Sequence, residues 1–167
     1  MNIGILGGTF DPVHIGHLII AEQVRARLKL SKVLFVPAGQ PWLKIDRIIT
    51  PAIHRVEMVQ RAIAANTCFE LCTLEVERPG PSYTVDTLMM LRKQFGVQAI
   101  FFFIIGYDCL SELPLWKEPS KLIQLCRLVA IPRAGSDLLD LESLKLRIPG
   151  IMENIIHLEL PVIEISS

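Results

Sequence analysis

The chain has 167 residues, of which 51% are hydrophobic, and this size and composition predict one folded α/β domain rather than a disordered segment. Its 17 Lys and Arg residues balance its 17 Asp and Glu residues. This balance argues against a broad nucleic-acid-binding surface, which needs a basic excess. The most apolar run, residues 99–105, is too short to cross a membrane. We therefore expect a soluble, cytoplasmic protein, with nothing in the sequence to indicate its oligomeric state.

The first 28 residues predict a strand, a glycine turn and a helix. Residues 2–6 form a short apolar run, typical of a buried parallel strand, and Gly7 and Gly8 then allow a tight turn. From Ile15 to Leu28 the apolar residues recur with helical period. In an open α/β sheet, ligands bind beyond the carboxyl ends of the strands. The N-terminus of a helix in that position offers free N–H groups to a phosphate.

His14 and His17 lie three residues apart at the predicted helix start, so both rings can face one point. Gly16 between them leaves room for a nucleotide close to the backbone. The pair could donate N–H bonds to phosphate oxygens, as nucleotidyl transfer requires. Two solvated histidines or a metal pair are the alternatives, but no third ligand stands at an obvious spacing nearby. The preceding strand and glycine turn favour phosphate handling, and we predict no protein-bound metal.

Residues 7–12, Gly-Gly-Thr-Phe-Asp-Pro, and residues 14–17, His-Ile-Gly-His, resemble the signature of the adenylyltransferases with an H-x-G-H motif. The tetrapeptide also occurs in class I aminoacyl-tRNA synthetases, but those enzymes are far longer and carry a lysine-rich second motif that is not found here. The resemblance implies that His14 and His17 are catalytic. It also implies an ATP site that includes Gly8, Thr9, Phe10, His14, Gly16 and His17.

The next elements are a buried strand at residues 32–37, a loop at 38–50 and a helix at 51–65. Lys44 in the loop is equally compatible with a solvated charge, but the resemblance implies a catalytic role because the family has a lysine after a proline-containing stretch here. Trp42 departs from the polar residues of the family, but together with the cations of this loop it could reach an anionic substrate. His54 and Arg55 are interpreted as structural. The helix is predicted to bury an apolar face made of Ile53, Val56, Val59, Ala62 and Ile63.

A strand region is predicted at residues 69–76, followed by a turn at 78–84 that leads into a helix. Thr84 or Ser82 could simply cap that helix, because both hydroxyls can accept from its first N–H groups. Residues 80–87, Gly-Pro-Ser-Tyr-Thr-Val-Asp-Thr, nevertheless resemble the segment that contacts the pyridine nucleotide in bacterial nicotinate-mononucleotide adenylyltransferases. That resemblance implies acceptor contacts for Ser82, Tyr83 and Thr84.

Residues 99–105 predict the central strand, which ends in Gly106-Tyr107-Asp108 where the family typically has Gly-Ala-Asp. Asp108 is a predicted substrate-binding residue on this resemblance, and Tyr107 is a departure from it. Trp116 follows a proline on a loop, where an indole can serve as a stacking surface for a flat ring. The resemblance implies that this ring is nicotinate.

A helix at residues 121–126 and a strand at 127–132 are predicted to lead to Arg133, whose guanidinium can fork onto phosphate oxygens. The resemblance implies that Arg133 is catalytic and binds ATP. A helix at 136–147 and short strands at 155–158 and 162–165 follow. The chain ends at Ser166 and Ser167, where the resemblance implies the start of an ATP-binding motif, Ser-Ser-Thr-x-Ile-Arg. Only the serine pair is present, which fits a truncated chain or a degenerate member of the family.

The predicted fold is a doubly wound, mostly parallel α/β sheet of the Rossmann-like nucleotidyltransferase type, with residues 1–167 in a single domain. The resemblance implies adenylyl transfer from ATP, with Mg²⁺ carried by the ATP, to nicotinate mononucleotide. The products would be nicotinate adenine dinucleotide and pyrophosphate, in NAD biosynthesis. Two alternatives stay open. One is pantetheine-phosphate adenylyltransferase, which shares the first motif, and the other is a nucleotide-binding module without turnover.

Overall fold

The computed structural model describes residues 1–42, 48–132 and 140–159. The described chain alternates between strands and helices, as an α/β protein does. The elements in order are β1 (Asn2–Gly8), α1 (Ile15–Arg27), β2 (Lys32–Pro37), α2 (Ala52–Ile63), β3 (Phe69–Leu71), α3 (Leu74–Glu77), α4 (Thr84–Phe95), β4 (Ile100–Gly106), α5 (Tyr107–Ser111), α6 (Pro119–Leu125), β5 (Arg127–Ile131), α7 (Leu141–Arg147) and β6 (Ile155–His157). Short 3₁₀ turns lie at Leu113–Leu115 and Met152–Asn154.

The six strands form one parallel sheet in the order β3-β2-β1-β4-β5-β6. This order confirms the predicted doubly wound α/β fold. The chain winds outward from β1 to one edge of the sheet and then outward from β4 to the other edge. The strand order therefore reverses between β1 and β4, and a ligand-binding crevice is expected beside their carboxyl ends. Gly8 and Gly106 end these two strands.

Strands β1, β2, β4 and β5 bury side chains on both faces of the sheet, whereas Glu70 of the edge strand β3 is exposed. On β4, Phe101, Phe103 and Ile105 pack into one hydrophobic layer, whereas Phe102 and Ile104 pack into the other. Residues of α4, α5, α6 and α7 complete the first layer, and residues of α1 and α2 complete the second. Burial on both faces explains why the strands are continuous apolar runs in the sequence.

The prediction of a strand at residues 69–76 is wrong for the second half of that range. Strand β3 pairs with β2 only over Phe69–Leu71, and the short helix α3 (Leu74–Glu77) follows. The last link to the sheet is a bond from the Cys72 N–H to the Phe35 carbonyl at 2.8 Å. Beyond it the chain turns away over the carboxyl edge, so its side chains no longer alternate between two layers.

The predicted apolar face of α2 is only partly correct. Val59 and Ile63 are buried, but Ile53 is 71% exposed and Arg55 is 1% exposed. Residues 55, 59 and 63 recur every four positions, so the helix buries a face with an arginine at its N-terminal end. The start of α2 lies beside the loops at the carboxyl edge of the sheet, where a long polar side chain can bond to their carbonyl groups.

The remaining elements agree with their predicted positions to within a few residues. Strand β6 coincides with the prediction at 155–158, and α7 with the second half of the prediction at 136–147. Helix α5 was not predicted. Residues 136–139 and the strand predicted at 162–165 lie outside the described residues. No helix in the described ranges is long and apolar enough to cross a membrane.

Candidate active site

A cavity of about 170 Å³ opens at the reversal of strand order, beside the end of β1. Gly7 and Gly8 form part of its wall, together with the loop after β2, helices α3 and α4, and Trp116. A Cβ atom on Gly8 would lie 3.2 Å from the ring of Phe10. A side chain at this position would therefore require the Phe10 ring to move by a few tenths of an ångström, and glycine lets the backbone run close to the ring without that shift.

His14 and His17 lie together at the start of α1, as the sequence predicts. Their rings stack with centroids 3.7 Å apart and an interplanar angle of 28°. His14 is the extended residue just before the helix, and its backbone N–H donates to Nδ1 of His17 at 3.2 Å. Because Nδ1 accepts this bond, the neutral His17 ring carries its proton on Nε2. His17 thereby presents an N–H donor at the positive end of the helix dipole.

The neighbouring predicted ATP-site residues have different environments. Thr9 lines the cavity, whereas Gly16 is buried in the first turn of α1. Phe10 has φ of 52° and a side chain that is 1% exposed. Its ring meets His17 edge-on, with centroids 5.0 Å apart. The Phe10 side chain therefore belongs to the hydrophobic core and packs against the His17 ring.

Arg55 holds the loops around this turn in place. Its guanidinium donates to the carbonyl oxygens of Thr9 at 2.7 Å, Ala38 at 2.8 Å and Thr50 at 2.8 Å. Burial lowers the pKa of Arg55, and the nearby charge of Asp11 opposes that shift. Asp11 also accepts from the backbone N–H of Thr50 at 2.8 Å. These contacts agree with the structural interpretation of Arg55, while His54 is exposed.

Ser82, Thr84 and Trp116 all line the cavity, so three predicted acceptor-binding residues share one pocket. The capping role considered for Ser82 and Thr84 is wrong. Helix α4 starts after Tyr83, with no side-chain bond at that cap. The Ser82 hydroxyl instead accepts from the backbone N–H groups of Gly39 at 2.9 Å and Gln40 at 3.2 Å. Ser82 therefore joins the loop after β2 to the start of α4.

Trp116 follows the 3₁₀ turn at Leu113–Leu115 and faces Phe103 edge-on, with centroids 6.1 Å apart. Its indole nitrogen is buried and finds no hydrogen-bond partner within the described parts of the chain. An orphaned buried N–H is costly in a folded protein. A ligand in the cavity could supply the missing acceptor, and the indole ring also offers a flat apolar surface to an aromatic group.

Tyr83 and Asp108, the other two predicted acceptor contacts, are not among the described residues that line this cavity. The Tyr83 ring packs against Trp42 at 5.9 Å between centroids, and Nζ of Lys117 lies 4.9 Å from its centre. Asp108 is exposed in the first turn of α5, where its backbone carbonyl accepts from the Ser111 hydroxyl at 2.6 Å. The unusual Tyr107 extends toward β6, and its hydroxyl lies 3.0 Å from Nδ1 of His157.

Glu75 and Thr87 are polar pocket residues that sequence reasoning did not assign to the site. Trp42, on the loop predicted to be able to reach an anionic substrate, also lines the cavity. Burial raises the pKa of the Glu75 carboxyl, while hydrogen bonds from Thr87 and Ser82 and the charge of Arg78 act in the opposite direction. No sequence pattern indicated Glu75, because its segment was predicted to be a strand.

Lys44, Arg133, Ser166 and Ser167 lie outside the described residues, so their predicted roles stay predictions. Within residues 1–42, 48–132 and 140–159, no group of three or more His, Cys, Asp or Glu side chains could hold a metal ion. The described part of the predicted phosphate site therefore consists of the glycine turn, the two histidines and the start of α1.

The parallel sheet, the glycine turn and the histidine pair at a helix start define a nucleotidyltransferase-like site. The model of the cytidylyltransferase-like family matches residues 5–167, and the chain belongs to this family. Within it, the chain is 44% identical over its full length to a probable nicotinate-nucleotide adenylyltransferase of Dehalococcoides mccartyi, of which it covers 82%. A protein of Roseiflexus with the same description is 46% identical over 165 residues, which are 99% of this chain and 81% of that protein.

Solved structures show the same fold. The nicotinic acid mononucleotide adenylyltransferase of Plasmodium falciparum complexed with NaAD superposes with a TM-score of 0.76 at 22% identity. The superposition covers 98% of this chain and 77% of the Plasmodium chain. The same enzyme complexed with APC gives a TM-score of 0.74. At this level of identity the likeness supports the Rossmann-like nucleotidyltransferase architecture.

Proposed function

We propose that this protein transfers the adenylyl group of ATP to nicotinate mononucleotide, releasing pyrophosphate and forming nicotinate adenine dinucleotide for NAD biosynthesis in the cytoplasm. The observation that carries this proposal is that the glycine turn of β1 joins the histidine pair to an aromatic pocket. Curated relatives with this described activity match the whole chain. Residues 1–167 would then belong to a single nucleotidyltransferase domain.

The nucleophile is the phosphate of the acceptor, which is already anionic at neutral pH, so the protein need not supply a nucleophile or a general base. Catalysis then consists of aligning two polyanions and stabilising the charge that develops on the pyrophosphate. The Nε2–H group of His17 and the stacked His14 supply donors for this charge. Lys44, Arg133 and the serine pair Ser166 and Ser167 are proposed to add further phosphate contacts. Mg²⁺ carried by ATP would neutralise part of the triphosphate charge.

The cavity is proposed to hold the pyridine ring of the acceptor. Trp116 offers a ring face for stacking and a buried N–H group without a partner among the described residues. Ser82 and Thr84 also line the cavity, and Tyr83 and Asp108 are proposed as further acceptor contacts. A flat aromatic acceptor suits such a pocket better than an extended flexible chain does. This shape favours nicotinate mononucleotide over phosphopantetheine, the acceptor of the alternative activity considered from the sequence.

The test is a pyrophosphate-release assay with ATP and one acceptor at a time. The acceptors are nicotinate mononucleotide, nicotinamide mononucleotide and phosphopantetheine. We expect the highest kcat/KM with nicotinate mononucleotide. A clear preference for phosphopantetheine would contradict the proposal. Nucleotide binding without pyrophosphate release from any acceptor would identify a binding module instead.

Trp116→Ala is expected to raise KM for nicotinate mononucleotide by about 10-fold while kcat and KM for ATP stay near parent values. Stacking acts on the acceptor ring in both the ground state and the transition state, so its loss appears as weaker uniform binding. Steady-state kinetics with each substrate varied in turn measure the effect. Leu115→Ala, at the exposed neighbouring position, is the control and should change neither constant. Equal weakening of both substrates by Trp116→Ala would show that the indole only supports the fold.

A further inference from the structure

Glu75 on α3 is a buried carboxyl group at the wall of the cavity. Glu75 is 8% exposed, and Arg55 is the only other buried charged residue in the described ranges. Each of the three guanidinium nitrogens of Arg55 donates to a backbone carbonyl group. The carboxyl of Glu75 has a different environment, because its direct partners are the hydroxyl groups of two other pocket residues.

The Thr87 hydroxyl lies 2.7 Å from Oε1 of Glu75, to which it donates, and the Ser82 hydroxyl lies beside this carboxyl and acts to lower its pKa. The Ser82 oxygen in turn accepts from the backbone N–H groups of Gly39 and Gln40. Ser82 and Thr87 lie on either side of the start of α4. A single carboxyl group therefore connects α3, α4 and the loop after β2.

The backbone of α3 approaches the same loop very closely. A Cβ atom on Gly39 would lie 2.1 Å from the carbonyl oxygen of Glu75, so only glycine fits at this point. The loop is thus held against α3 by direct packing and by the chain of bonds through Ser82. Ala38, Pro41 and Trp42 of this loop line the cavity, so a shift of the loop would change the shape of the pocket.

A buried carboxyl group that forms no salt bridge is expensive for stability. The described residues show no salt bridge to Glu75, and hydroxyl donors compensate burial less well than an arginine does. An apolar side chain of similar volume would be tolerated or even favoured at such a position. A costly group beside a ligand cavity points to a role in that cavity.

We propose that Glu75 is a positioning residue for the acceptor, which acts through Ser82 and Thr87 to hold the loop at Gly39 and Gln40 against the start of α4. This inference rests on the proposed function for the identity of the acceptor, a pyridine mononucleotide. Glu75 itself does not contact the reacting atoms in this role. The histidine pair is held by α1 and Phe10, so the loss of Glu75 leaves the phosphate-handling part of the site in place.

The kinetic test compares Glu75→Ala with Glu75→Gln, whose amide oxygen can accept the same two hydroxyl bonds. Glu75→Ala should raise KM for nicotinate mononucleotide by about 10-fold, the effect of losing roughly one well-placed interaction, with KM for ATP and kcat within about twofold of the parent. Glu75→Gln should restore most of that loss. Glu77→Gln, an exposed neighbour on the same helix, is the matched control and should behave as the parent.

A second measurement does not depend on the ligand. Hydrogen exchange at the Gly39 and Gln40 amides should accelerate in Glu75→Ala and remain slow in Glu75→Gln and Glu77→Gln. If Glu75→Ala fails to fold, Thr87→Val can replace it, because it removes one hydroxyl donor to Glu75 at nearly constant shape. This variant should show a smaller acceleration of exchange at the same two amides.

Unchanged exchange in all variants would overturn the positioning role. So would a rise in both KM values together, or a Glu75→Gln variant as impaired as Glu75→Ala. Absence of turnover in the parent, with the exchange pattern as expected, would reject the proposed function but not the role of Glu75.

Discussion

His17→Ala is expected to lower kcat for adenylyl transfer by about 100-fold or more, the usual effect of removing a preorganised donor to developing charge. The structure supports this size of effect because three contacts hold the His17 ring in one orientation. His14 stacks on its ring, Phe10 meets it edge-on, and the His14 N–H bonds to Nδ1. An alanine has no group that can replace the Nε2–H donor. Single-turnover kinetics with ATP and nicotinate mononucleotide measure the loss directly.

The matched control is His54→Ala, which removes an exposed histidine from the start of another helix, α2. This variant should turn over at the parent rate. His14→Ala is expected to impair turnover as well, since it removes the ring that stacks on His17. Turnover of a folded His17→Ala variant at the parent rate would refute the phosphate-handling role of the pair.

Arg55→Met is expected to lower the free energy of unfolding by about 3 kcal/mol or more. The methionine removes the donors of three carbonyl groups, those of Thr9, Ala38 and Thr50, and each buried acceptor left without a partner costs about 1–3 kcal/mol. Arg55→Lys should recover only part of this stability, because one ammonium group cannot reach three carbonyls from separate segments as the planar guanidinium does. Urea denaturation at constant pH measures both changes.

Arg61→Met on the same helix is the control for this experiment. Arg61 is exposed and pairs with Glu57 on the surface, so its loss should change the stability by about 1 kcal/mol or less. If Arg55→Met cost no more than Arg61→Met, the bonds of Arg55 to the loops would not stabilise the protein. Because Thr9 and Ala38 line the cavity, a folded Arg55→Met variant should also bind the acceptor more weakly.

The local features of the site are determined by the sequence itself. An apolar run, two glycines and an apolar helical repeat lie consecutively in residues 2–28, so strand, turn and helix follow from short-range preferences. The position of His14 and His17 on one face follows from the same helical period. The parallel sheet could also be predicted, because strands buried on both faces form continuous apolar runs between helices.

The tertiary structure alone decided which distant side chains meet in the pocket. Glu75 and Thr87 are 12 residues apart in the chain, and their contact depends on how α3 and α4 pack. Serine commonly caps helices, but the Ser82 hydroxyl oxygen accepts hydrogen bonds from the loop after β2 instead. Arg55 interrupts an apolar face because its partners are carbonyls of loops that converge only in the folded chain. Periodicity reports that a position is buried, but the identity of its neighbours depends on the packing of whole elements, which is a long-range property of the fold.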